Sequence, residues 1–124
     1  MVTVELPNGR PLRFISTHFQ HNVPEDRIAE AQAINKHFGD SDTPTILAGD
    51  MNAVPDSEPV KILQQKWTNT IDAAAAPSAP SVKPTSRIDY VFFRGDGMKV
   101  LQSEVIAESV ASDHRPVLAV IGVE

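Results

Sequence analysis

Thr45-Ile46-Leu47-Ala48-Gly49-Asp50-Met51-Asn52 is the stretch on which the fold turns. Its first four residues form a short apolar run between turn signals, the pattern of a strand covered on both faces. The run stops at Gly49, and the loop from Asp50 to Pro55 that follows opens on an acid and an amide. Alternation about Met51 sets the Asp50 and Asn52 side chains on one face. A carboxylate beside an amide oxygen suits a hard cation or an attacking water. The same pair also suits an Asx turn that satisfies loop backbone groups, and from this stretch alone both readings stand.

A strand buried on both faces needs neighbours and covering layers, and the flanking sequence supplies them. Upstream, Val2 to Leu6 alternates, Asn8-Gly9 is a strong hairpin turn signal, and Arg10 to Thr17 returns as a second strand. After the polar stretch from His18 to Pro24, a helix is predicted from Glu25 to Phe38. Pro24 is placed for its start, Glu25 and Asp26 favour its positive end, and Gly39 suits its stop. Ile28, Ala31, Ile34 and Phe38 form its apolar stripe. Downstream, Ser57 is expected to cap a short helix through Gln65, with Pro59 tolerated in its first turn. Trp67 reads as core or helix-end packing. The stretch from Ala73 to Ser86 is rich in Ala, Pro and Ser without periodicity, so a long surface loop is expected there. Ile88 to Phe93 and Met98 to Ile106 flank the turn Arg94-Gly95-Asp96-Gly97, and a last strand runs from Pro116 to Gly122. Strands in both halves with helices between them give an α+β or layered sandwich class.

The bulk properties exclude several functions. The 124 residues suit one domain, 1–124, and 41% hydrophobic with 22% charged residues is an ordinary globular balance. No apolar run approaches the roughly 20 residues that a membrane span needs. No signal peptide is visible at the N-terminus, so a cytoplasmic location is expected. Without cysteine there are no disulfides, thiol nucleophiles or thiolate zinc sites. A net charge of -5 argues against tight, non-specific binding to a polyanion.

Three further polar groups stand where strands end. Ser16-Thr17-His18 delivers a histidine to a loop, whereas His21 and His37 invite no chemical reading. In Arg87-Ile88-Asp89-Tyr90, alternation puts Asp89 on the face of Val91 and Phe93, an apolar setting where a carboxylate needs a partner. Arg87 is the ordinary candidate. A histidine from elsewhere is the chemical one, because a carboxylate behind an imidazole fixes its tautomer and stabilises its charged form. Ser112-Asp113-His114-Arg115-Pro116 sets a candidate metal ligand and a candidate general base side by side, in a turn that Pro116 restricts, and read alone it is more simply a polar loop cluster.

Taken in order, Ser16-Thr17-His18, Gly49-Asp50-Met51-Asn52-Ala53, Arg87-Ile88-Asp89-Tyr90 and Ser112-Asp113-His114-Arg115-Pro116 resemble the endonuclease/exonuclease/phosphatase (DNase I-like) superfamily. The resemblance runs from about residue 10 to the C-terminus. It implies a four-layer α/β/β/α sandwich with the active site at one edge of two packed sheets. It also implies hydrolysis of a phosphoester by water, assisted by Mg²⁺ or Mn²⁺. In that scheme His114 handles the proton, Asp89 backs it, and Asp50 and Asn52 hold the attacking water. His18 donates to a phosphoryl oxygen, and Asp50, Asn52 and Asp113 are the metal-side residues. Positioning and charge neutralisation are what phosphoryl transfer asks of such groups.

The chain departs from that pattern at its front. Members are usually much longer, and their first half supplies an asparagine and a metal-binding glutamate. Here Glu5 sits in a hairpin and Glu25 and Glu30 lie on a surface helix, so the sequence resembles the later part of the fold. A truncated reading frame, an excised fragment and a chain completed by a partner are all consistent with this. An incomplete sheet would expose an edge and apolar surface, so association is expected. The superfamily acts on DNA, RNA, phospholipids, sphingolipids and inositol phosphates, and fold alone does not choose among them. The acidic charge and scattered lysines favour a modest phosphodiester or phosphomonoester over duplex DNA, with a nuclease and a non-catalytic half-domain as alternatives.

Overall fold

A computed structural model describes residues 1–71 and 75–124, so Ala73 and Ala74, the start of the expected surface loop, lie outside the described residues. The elements are β1 (Val2–Glu5), β2 (Pro11–His18), α1 (Pro24–Phe38), β3 (Thr45–Asp50), α2 (Glu58–Gln64), β4 (Thr68–Asn69), β5 (Asp89–Arg94), β6 (Met98–Val105) and β7 (Val117–Val123). Five strands form one sheet in the order β1-β2-β3-β5-β4, and β6 pairs with β7 in a second. The helices cover one face of the larger sheet and the β6–β7 pair lies against the other. The described residues thus build helix, sheet and sheet layers, an incomplete portion of a four-layer sandwich.

The helix α1 is the crossover that lets β2 and β3 run parallel, in register from Arg13 opposite Thr45 to His18 opposite Asp50. Its buried Ala31, with Ile28, Ile34 and Phe38 around it, packs on the core. Between helices and sheet lie Leu47, Val60, Leu63, Tyr90 and Phe92, all essentially inaccessible to solvent. Each such apolar side chain contributes about 1.5–3 kcal/mol relative to exposure. Trp67 is buried with them, and its Nε1 donates to Asn35 Oδ1 at 2.9 Å. On the opposite face, Leu12, Phe14, Ile46, Ala48 and Val91 meet Val117, Ala119, Ile121 and Val123 across an apolar cleft between the sheets.

Several local expectations need correction. β3 does not end at Gly49 but carries pairing through Asp50, which lies opposite Asp89 of the antiparallel β5. Ser57 makes no side-chain cap, because its hydroxyl donates back to the Val54 carbonyl at 2.5 Å. The two strands expected to flank the turn from Arg94 to Gly97 are both present, and that turn carries the chain from one sheet to the other. Within the described part of the expected surface loop, Pro80, Val82, Lys83 and Thr85 are exposed, but Ser78, Ala79 and Ser81 turn inward and are buried, and Ala79 bridges to Ser86.

Gly49 lets β2 and β3 meet at this end. Its φ is +156°, and a Cβ there would stand 1.8 Å from the Thr17 carbonyl oxygen. Gly49→Ala is therefore expected to cost on the order of 3 kcal/mol, read as a lower urea midpoint with an unchanged slope.

Candidate functional site

Three neighbouring strands finish in a row. Parallel pairing sets His18 opposite Asp50, and antiparallel pairing sets Asp50 opposite Asp89. The turn before β7 then brings His114 over the two acids. His114 Nδ1 lies 3.0 Å from Asp89 Oδ2 and 3.1 Å from Oδ1, and 3.9 Å from Asp50 Oδ2. One ligand atom from each of Asp50, Asp89 and His114 falls within 4.8 Å of the others. His18, Asn52 and Asp113 line the same open cleft.

Each side chain is held by identifiable groups. Asp50 accepts the Asn52 main-chain N–H at 2.7 Å through Oδ1, while Oδ2 stands 3.4 Å from His18 Nε2. The Asx turn is thus present, and the second carboxylate oxygen stays at the cleft, beside His18. Asn52 has a left-handed φ of 46°, which asparagine tolerates, and its amide donates to the Phe19 carbonyl at 2.8 Å. Met51, between them, points into the core and is fully buried.

Asp89 draws its partners from other segments. Besides His114, Ser78 Oγ donates to Oδ2 at 2.6 Å. Arg87, the nearer candidate, donates its Nε to the Asp89 main-chain carbonyl at 2.7 Å. It also lies over the Tyr90 ring, whose hydroxyl has one proton to share between the Ala53 and Arg87 carbonyl oxygens, at 2.8 and 3.0 Å. Burial pushes the Tyr90 phenol well up, so it is a structural donor. The His114 turn is clamped from the inward segment: Arg115 N–H donates to the Ser78 carbonyl at 2.7 Å, and Ser81 N–H to the Asp113 carbonyl at 2.7 Å. Asp113 itself is exposed, and its carboxylate accepts the Ser112 hydroxyl at 3.3 Å.

Two residues escaped the sequence reading. His21 also lines the cleft, from a loop whose spacing carries no signal. Ser78 lies in a stretch without periodicity, where nothing distinguishes it from its neighbours.

The donor set fits a hard divalent cation. Asp50 and Asp89 offer carboxylate oxygen, the donor that Mg²⁺ and Mn²⁺ prefer, and among the described residues they are gathered with His114 within 4.8 Å, whereas Asn52 and Asp113 line the cleft outside that group. Among the described residues no glutamate lines this cleft.

The fold and cleft define a class: a layered α/β sandwich that gathers acids and histidines at the ends of its strands. The sequence matches the Endonuclease/Exonuclease/phosphatase family over residues 5–114, and the chain belongs to that family. No curated protein is significantly similar to it. Its fold is similar to a family protein from Bacteroides thetaiotaomicron (22% identity, TM-score 0.78, 95% of this chain and 51% of that one). It is also similar to a mannosyl-6-phosphatase from the same species (21%, TM-score 0.73, 91% and 52%). A third is the D. rerio TDP2 complexed with single-strand DNA product (17%, TM-score 0.77, 97% and 59%). The chain spans about half the length of these structures.

Burial lowers the basicity of His114, but the Asp89 hydrogen bond and the charges of Asp89, Asp50 and Asp113 outweigh it, holding its pKa above the ordinary 6.5. A pKa raised on folding stabilises the protein fully below the unfolded value, and the stabilisation is lost as pH rises through the folded value. In EDTA, the stability gap between the native chain and Asp89→Asn is thus expected to be widest below pH 6.5 and to narrow above it, as followed by thermal melts.

Proposed function

We propose that this chain carries the proton-handling and water-holding part of a metal-assisted phosphoester hydrolase. The observation that carries the reading is the convergence of Asp50, Asp89 and His114 on one open cleft, their ligand atoms within 4.8 Å. With Nδ1 engaged by Asp89, the Nε2 of His114 is the atom left to take a proton from water or return one to a leaving group. Asp89 holds the ring and stabilises its charged form. Asp50 and the Asn52 amide oxygen orient the water, and His18, exposed at the cleft edge, donates to a phosphoryl oxygen as charge builds there. Mg²⁺ or Mn²⁺, held by Asp50, Asn52 and Asp113, would neutralise charge on the phosphoryl group. The net charge of -5 supports a modest phosphodiester or phosphomonoester over duplex DNA.

The test is hydrolysis of bis-p-nitrophenyl phosphate and p-nitrophenyl phosphate with Mg²⁺ or Mn²⁺ and with EDTA, alongside plasmid nicking at physiological salt. His114→Ala and Asp50→Ala are each expected to lower kcat by about 100-fold or more. Full activity in either variant, or in EDTA, overturns the reading. Nicking without turnover of the small esters would favour a nuclease.

A second reading rests on the chain's half-length coverage of its structural neighbours and on the cleft's lack of a glutamate among the described residues. On it, these residues bind or act only once a further stretch of the same fold completes the sandwich. Micromolar Mg²⁺ binding together with turnover by the 124-residue chain would exclude it.

The same incompleteness makes association the expected solution behaviour. Val2, Val4, Leu101, Leu118 and Val120 are exposed, with Leu101 at 60% on the outer face of the β6–β7 pair. Sedimentation velocity is expected to show concentration-dependent association, weakened by Leu101→Lys. Monomers across the whole concentration range would refute it.

A further inference from the structure

Ser78 is fully buried, yet its hydroxyl is engaged on every side. Oγ donates to Asp89 Oδ2 at 2.6 Å and accepts the Ile88 and Asp89 main-chain N–H groups at 3.2 and 3.3 Å. A hydroxyl has one proton to give, and an ionised carboxylate can only accept, so the direction of the short bond is fixed. The same residue reaches the other half of the pair through its backbone: its carbonyl accepts the Arg115 N–H at 2.7 Å, immediately after His114. One residue thus grips both the acid and the turn that carries the imidazole.

We propose that Ser78 is a positioning residue for the Asp89–His114 pair, setting the plane of the Asp89 carboxylate so that it selects the Nδ1–H tautomer of His114. The assignment rests on the hydrolase reading only for its catalytic meaning, since the geometry stands without it. The torsion that rotates a carboxylate is broad and soft, so a backbone placement alone does not aim its oxygens. His114 Nδ1 is nearly equidistant from the two oxygens, at 3.0 and 3.1 Å, and does not choose between them. The Ser78 hydroxyl touches Oδ2 only, and that asymmetric bond defines the plane. Because imidazole Nδ1 faces an oxygen that cannot donate, the ring must carry its proton there, leaving Nε2 bare toward the cleft.

The residue could instead serve only the two N–H groups it accepts. The two roles separate in long-range ¹H–¹⁵N spectra of the chain labelled at histidine, recorded in EDTA at alkaline pH, where the imidazole is neutral. The native chain is expected to hold His114 in the Nδ1–H form. Ser78→Ala is expected to lose that form as the major species, and Ser78→Thr to restore it. Ser78→Cys keeps the volume but donates weakly, so it should behave as the alanine variant does. Retention of the Nδ1–H form in Ser78→Ala and Ser78→Cys, with only a lower Tm, overturns the proposal. So does its loss in Ser78→Thr, or a failure of the alanine and cysteine variants to fold, which would assign the hydroxyl to folding alone. Turnover plays no part in this readout, so a chain that cleaves no phosphoester still answers it, while the His114→Ala rates bear only on the hydrolase reading.

Discussion

Two carboxylates placed directly opposite each other on adjacent strands set the terms for everything around them. The β3–β5 register puts Asp50 against Asp89, and like charges in that relation repel. No shift of register relieves it, because a slip by one residue would turn Leu47, Tyr90 and Phe92 out of the core. The repulsion is instead absorbed by donors. Asn52 N–H takes one oxygen of Asp50, Ser78 takes one of Asp89, and His114 stands near both acids. The hydrophobic register therefore holds in place an electrostatic arrangement that would not persist in a free peptide.

The cleft takes its position from the layers. Helices on one face leave the strand ends clear, and β7 approaches the other face with His114 in the turn just before it. The site residues come from the ends of β2, β3 and β5 and from that turn, while the core lies further along the same strands. Packing and chemistry are thus separated along each strand. Met51 shows the division at single-residue scale, buried between two residues that face the cleft.

What the sequence discloses follows from periodicity. Gly49-Asp50-Met51-Asn52 is legible because alternation assigns each side chain a face, and Asp89 because an acid in an apolar strand needs a partner. The α1 stripe is equally plain, since its spacing belongs to one helix face. The inward course of the Ala/Pro/Ser stretch is hidden, because it is held by main-chain bonds and one hydroxyl rather than by any repeating pattern. The parting of β5 from β6 is hidden for a related reason: a tight Gly-rich turn looks alike whether it closes a hairpin or passes between sheets. The two-residue β4 is too short to carry a period at all.

The inward segment also fixes when the site can exist. Its clamps join Ser78 to Asp89 and to the Arg115 turn, and the strand ends join His18 to Asp50 and Asp50 to Asp89. These are long-range closures, made only after the intervening chain has folded, and such closures come late and slowly. The polar cleft as a whole is therefore a product of the finished topology, since its local turns at Asp50–Asn52 and Ser112–His114 meet only through these closures. A partly unfolded chain keeps its four motifs in sequence, but only the folded one gathers Asp50, Asp89 and His114 into a single cluster.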